Sequence, residues 1–93
     1  MTNSLAKTLI HFINEDAIVL DSLGYEEVTR NQFKKKYNVS VCYFTRLMHL
    51  HECKMRRSKG NYDSFVYGDK TNKQPIYFNV KSLVEVTNKI LQK

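Results

Sequence analysis

"VTRNQFKKKYNVSVCYFTRLMHLHECKMR" (residues 28–56) reads as a helix, a three-residue turn and a second helix, with a strand to follow. Thr29, followed three residues later by Gln32, has the form of a capping box, so a helix should begin near Arg30. Phe33 and Tyr37 are its apolar positions. Asn38 tolerates the left-handed conformation of a tight turn. Val39 can fill the angle between two helices, and Ser40 is a good N-cap for the second one. In that second helix, at 41–51, Val41, Phe44, Leu47 and Met48 share one side, while Tyr43, Arg46 and Thr45 lie toward the other.

Upstream, "TNSLAKTLIHFINEDAIVL" begins with cap-type residues and places Leu5, Leu9, Phe12 and Ile13 at the spacing of one helical face. This helix can run on through Ala17, Ile18 and Leu20 toward Leu23, where Gly24 stops it. "YEEVT" is a short strand candidate. Downstream, "ECKMRR" and "YDSFVYG" are strand-like runs joined by "SKGN", and Gly60 and Asn61 suit a turn, so a hairpin is expected. Period-two alternation puts Cys53 and Met55 on one face and Lys54 and Arg56 on the other. "GDKTNKQ" reads as a polar loop. "PIYFN" is a strand with Pro75 at its start, and Asn79 can cap a last helix carrying Leu83, Val84, Thr87, Ile90 and Leu91.

The chain has 93 residues, enough for one domain over 1–93 and near the lower limit for a self-sufficient core. Hydrophobic residues make up 42%, which supplies that core and argues against disorder. No run is long enough to span a bilayer. The N-terminus is interrupted by Lys7, His11 and "NED", with no small-residue cleavage site after it, so no signal peptide is read and the cytoplasm is the expected location. Two cysteines, Cys42 and Cys53, make no disulfide framework and are expected as free thiols.

Charge is segregated. The net charge is +6, yet residues 1–28 carry one lysine and five acids, whereas 29–60 carry nine bases and only Glu52. A basic middle behind an acidic start suggests one face built for an anion, and nucleic acid is the usual one. The plainer reading is a solvated basic face without a ligand.

In its order of helices, helix-turn-helix, hairpin, strand and helix, the chain resembles a winged helix-turn-helix DNA-binding domain over residues 25–92. The resemblance implies an α+β fold with a recognition helix at 41–51 over the helix at 30–37, and a wing from the hairpin and the polar loop. More loosely, the chain is similar to small winged-helix proteins of replication operons in Gram-positive cassette-type mobile elements, which include a single-stranded DNA binder and a polymerase partner. It departs from a sequence-reading helix in one respect. The helix at 41–51 offers Arg46 but no Asn or Gln, and bidentate Arg and Asn contacts carry most direct base readout.

Aromatic residues are instead interleaved with the bases. Bases of a single strand stack on aromatic faces while cations track the phosphates. The candidate nucleic-acid-binding residues are therefore Lys34, Lys35, Lys36, Tyr43, Arg46, Lys54, Arg56, Arg57, Lys59, Tyr62 and Tyr67. Phe33, Phe44 and Phe78 have core spacing. The favoured expectation is a non-enzymatic single-stranded DNA binder acting in replication of a mobile element. The alternatives are a duplex-DNA transcription regulator or excisionase-like protein, and a docking subunit of a polymerase, primase or helicase whose acidic N-terminal helix is the docking face.

Other chemistry fits poorly. His49, His51, Cys42 and Cys53 are metal-ligand types, but their spacing matches no ordinary zinc motif, and no metal or other cofactor is expected. A Cys–His nucleophile lacks an orienting acid and an oxyanion loop. With three glycines in all, there is no Gly-rich phosphate loop.

Overall fold

Apolar residues at helical spacing and a glycine stop define the first element, α1 (Ser4–Ser22). The computed structural model describes residues 4–37 and 41–92, with side chains at 7–37 and 43–92. The expected turn and cap at Asn38, Val39 and Ser40, and the side chains of Leu5, Val41 and Cys42, lie outside the described residues. After α1 come β1 (Glu27–Thr29), α2 (Arg30–Tyr37), α3 (Val41–Leu50), β2 (Met55–Arg57), β3 (Ile76–Asn79) and α4 (Val80–Leu91). The described residues form an α+β fold, with four helices and a three-stranded antiparallel sheet in the order β1-β3-β2.

Gly24 ends α1 as expected. It sits at φ 87°, and the Gly24 and Tyr25 amides donate to the carbonyls of Asp21 and Leu20, the bond pattern of a Schellman motif. Glu52 closes α3 in the same way at φ 62°, a conformation that costs a residue with a Cβ more than glycine. At the start of α2 the Gln32 side chain reaches back and accepts from the Thr29 amide at 2.9 Å, half of the expected capping box. Asn79 caps α4 by accepting from the Ser82 amide at 2.9 Å.

The core sits between one face of the sheet and the helices. Val28, Phe78 and Met55 lie side by side in register across the three strands, and all are buried. Phe78 stacks on Phe44 of α3 with ring centroids 5.1 Å apart, and Phe44 meets Phe33 of α2 edge-on at 5.7 Å. Leu47 is only partly buried against this cluster. α1 and α4 pack together through Ile10, Ile13, Ala17, Leu83 and Val86. Between them the buried Asn14 amide donates to Thr87 Oγ1 at 2.8 Å and to Asn88 Oδ1 at 3.0 Å, which satisfies a polar group that would otherwise be costly to bury.

Three sequence expectations are corrected. Phe12 is not on the buried face of α1 but 46% exposed, because the face that packs is centred on Ile10, Ile13 and Ala17; its ring lies parallel to Tyr37 at 6.2 Å instead. Thr45 does not join the outer face of α3. It is 4% exposed and accepts a hydrogen bond from Arg30 Nη1 at 3.3 Å. "YDSFVYG" is not a strand. β2 pairs with β3, and the residues between them form a long loop. Local side-chain bonds win there. Asn61 and Ser64 bond each other's backbone reciprocally at 2.9 and 3.0 Å, Gly68 takes φ 85°, and Asp69 accepts from the Thr71 amide. No helix among the described residues is long and apolar enough to cross a membrane.

Candidate nucleic-acid interface

The buried row of α3, Phe44 and Met48, fixes which way the rest of that helix points. Tyr43, Arg46, His49 and Leu50 face outward, with Tyr43 49% exposed. The β2–β3 loop folds against the end of this outer face. Tyr67 lies flat on His49, with centroids 4.8 Å apart and planes 10° from parallel, and Phe65 tilts against the same imidazole at 6.3 Å. Tyr67 keeps 39% of its surface in solvent. The helix and the loop thus present two partly exposed tyrosine rings, a histidine and an arginine.

The remaining sequence-predicted residues divide. Lys34 and Lys35 are exposed in the last turn of α2. Lys36, beside them, bonds Asp16 of α1 at 3.0 Å, and Tyr37 Oη donates to the same carboxylate. The Asp16 contact raises the Lys36 pKa, so this cation is held toward α1. Lys54 and Lys59 are exposed on either side of β2. Arg57 donates to the carbonyls of Gln74 at 2.7 Å and Asp69 at 3.4 Å, which ties the two arms of the loop together.

Arg56 and Tyr62 occupy a different surface. Strand alternation sends Arg56 to the sheet face opposite Met55 and Phe78, hence away from α3. There its guanidinium meets Glu27 of β1 in a two-pronged pair at 2.6 and 2.7 Å and lies over the Tyr77 ring at 4.7 Å. Tyr62 Oη donates to the same Glu27 carboxylate at 2.8 Å and accepts from Asn79 Nδ2 at 3.3 Å. Glu27 therefore anchors the start of the loop across the sheet. The sequence reading set Glu27 apart in the acidic N-terminal segment; only the strand order brings it to Arg56.

The Arg56 hydrogen bond, with a smaller share from Tyr62, holds the Glu27 carboxyl below the ordinary glutamate range despite partial burial. A lowered folded-state pKa means the carboxylate stabilises the fold above its unfolded pKa, and that support is lost as pH falls through the lowered value. Glu27→Gln is expected to lower stability at neutral pH, with the gap from the parent chain closing at acid pH. Urea unfolding at the two pH values checks this. A gap that does not change with pH contradicts the pairing.

Cys53 is 6% exposed, and burial pushes its thiol up to about 11, which leaves it a poor nucleophile. Among the described residues no cluster of three or more His, Cys, Asp or Glu side chains is arranged to hold a metal ion. No protein-family model, no curated protein and no solved structure matches the chain.

Proposed function

We propose that the chain is a DNA-binding domain of winged helix-turn-helix type, non-enzymatic, that binds single strands along the outer face of α3. The element order and the sheet order β1-β3-β2 are compatible with that layout, with α3 as the recognition helix and the β2–β3 loop as the wing. The observation that carries the single-strand reading is the outer face of α3. Tyr43 and the His49–Tyr67 stack are partly exposed there, and Arg46 is the one side chain of that face suited to bidentate base contact. Burial of Thr45 removes a second candidate for groove readout. Stacking is tolerant of sequence, so little base preference is expected. The exposed Lys34 and Lys35 would track phosphates. Replication of a mobile element remains the proposed setting, on the resemblance alone.

A second reading has its own support. α1 and the turn after it expose Phe12, Ile18, Val19, Leu23 and Tyr25 in an acidic segment that DNA would repel, which suits docking to a polymerase, primase or helicase. The two readings are compatible, since they use different surfaces.

Fluorescence anisotropy with a labelled oligothymidylate tests the first. Tyr43→Ala is expected to weaken single-strand binding by about 1–3 kcal/mol, the range measured for loss of a base–aromatic stack. It should leave the fold intact, because the ring is half exposed. Unchanged affinity would remove α3 from the binding face.

A further inference from the structure

The β2–β3 loop, the first turn of α2 and Thr45 of α3 line a cleft of about 570 Å³, within the range of roughly 300–1,000 Å³ typical of ligand sites. Its lining carries four cations, Arg30, Arg57, Lys70 and Lys73, against a single acid, Asp69. That acid is occupied locally: its carboxylate accepts from the Thr71 hydroxyl at 2.6 Å and the Thr71 amide at 3.0 Å, and these bonds keep it ionised below the usual aspartate range. Arg57 is held by the backbone carbonyls of Gln74 and Asp69, and among the described residues it has no ion pair. The lining thus carries more positive than negative charge. Lys70 and Lys73 are exposed.

One wall of the cleft is aromatic. Phe65 and Tyr67 both line it, and both are braced against His49 of α3. Asn31 adds an exposed amide to the lining. Cations beside a supported aromatic wall suit a phosphate joined to a flat ring.

We propose that this cleft holds one nucleotide of a bound single strand, its phosphate toward Lys70 and Lys73 and its base against Tyr67. The inference rests on the single-strand reading and extends it to a second contact point, built from residues outside the helix pair. A base still paired and stacked in a duplex could not enter a cleft walled by helix on one side and loop on the other.

The test is a charge reversal, Lys70→Glu with Lys73→Glu, set beside Lys7→Glu with Lys89→Glu, which changes net charge equally on α1 and α4. All four lysines are exposed, so both variants should fold, as circular dichroism will check. Oligothymidylate binding is measured by anisotropy from about 50 to about 200 mM salt. The cleft variant is expected to bind about 10-fold more weakly than the parent at the higher salt. Its log–log salt slope should be shallower by about 0.7, for the loss of one phosphate contact on a single strand. The control should keep the parent slope. A cleft variant with the parent slope, or a control that loses as much as the cleft variant, overturns the inference while leaving single-strand binding standing. Failure of the parent protein to bind oligothymidylate overturns the single-strand reading and this inference with it. Photo-cross-linking to iodouracil-substituted strands should mark Tyr67 or Phe65; cross-links confined to Tyr43 would overturn the base placement.

Discussion

Replacing Phe78 with alanine is expected to destabilise the fold by about 3–5 kcal/mol, the range for phenylalanine truncation in a packed core. Phe78 is fully buried at the centre of the middle strand, flanked in register by Val28 and Met55. Its ring stacks on Phe44, so it is the point at which the sheet grips α3. Truncation removes the transferred apolar surface, leaves a cavity among residues that cannot all move in, and deletes the aromatic pair. For a domain with a total stability of about 5–15 kcal/mol, this consumes a large share. The variant should unfold at much lower urea concentration than the parent. Phe12→Ala, at a ring that is 46% exposed, should shift the midpoint far less. Equal shifts for the two variants would mean that the core is assigned to the wrong face.

Binding to single strands is expected to fall steeply with salt. Each phosphate contact on a single strand contributes about 0.7 to the slope of log affinity against log salt. The exposed cations Lys34, Lys35 and Arg46 on the helix pair, with Lys54 and Lys59 beside β2, offer three to five such contacts, and the phosphate proposed at Lys70 and Lys73 adds one more. The slope should thus lie between about −2.8 and −4.2, and affinity should drop by roughly 50- to 340-fold between about 50 and 200 mM salt. Lys36 and Arg56 should contribute less than their sequence neighbours, because Asp16 and Glu27 already pair with them. Arg56→Glu would test something else: it sets two acids against each other at the root of the loop and should lower stability before it reports on DNA. Affinity that is flat across this salt range contradicts a phosphate-binding role for the basic segment.

What was legible in the sequence was local. The Thr29–Gln32 cap, the glycine stop at Gly24 and the Asn79 cap each act within a few residues, and each marks a helix boundary that the structure has. Alternation put Cys53 and Met55 on one face and Lys54 and Arg56 on the other, and the first two are buried whereas the second two are not. What was not legible depends on partners distant in the chain. "YDSFVYG" has the residue types of a strand, but Asn61 and Ser64 satisfy one another's backbone and fold it into turns. Thr45 looked like an outward-facing hydroxyl until Arg30, fifteen residues earlier, came over it. The candidate site was split for the same reason. Arg56 and Tyr62 stand among the bases in sequence, yet the sheet order carries them to Glu27 on the face away from α3. Tyr67 was picked for its composition alone; its support by His49 could not be read from spacing, since the loop between them has no periodicity.

In the proposed function α3 and its neighbouring loop bind single strands by stacking rather than duplex by groove reading. Competition binding measures it most directly, with a labelled single strand displaced in turn by unlabelled single strands and by duplexes of matched length and sequence at one fixed salt concentration. Single strands are expected to compete at least as well as duplexes, with little dependence on sequence. A strong preference for one duplex sequence over every single strand would contradict it and assign the outer face of α3 to the major groove.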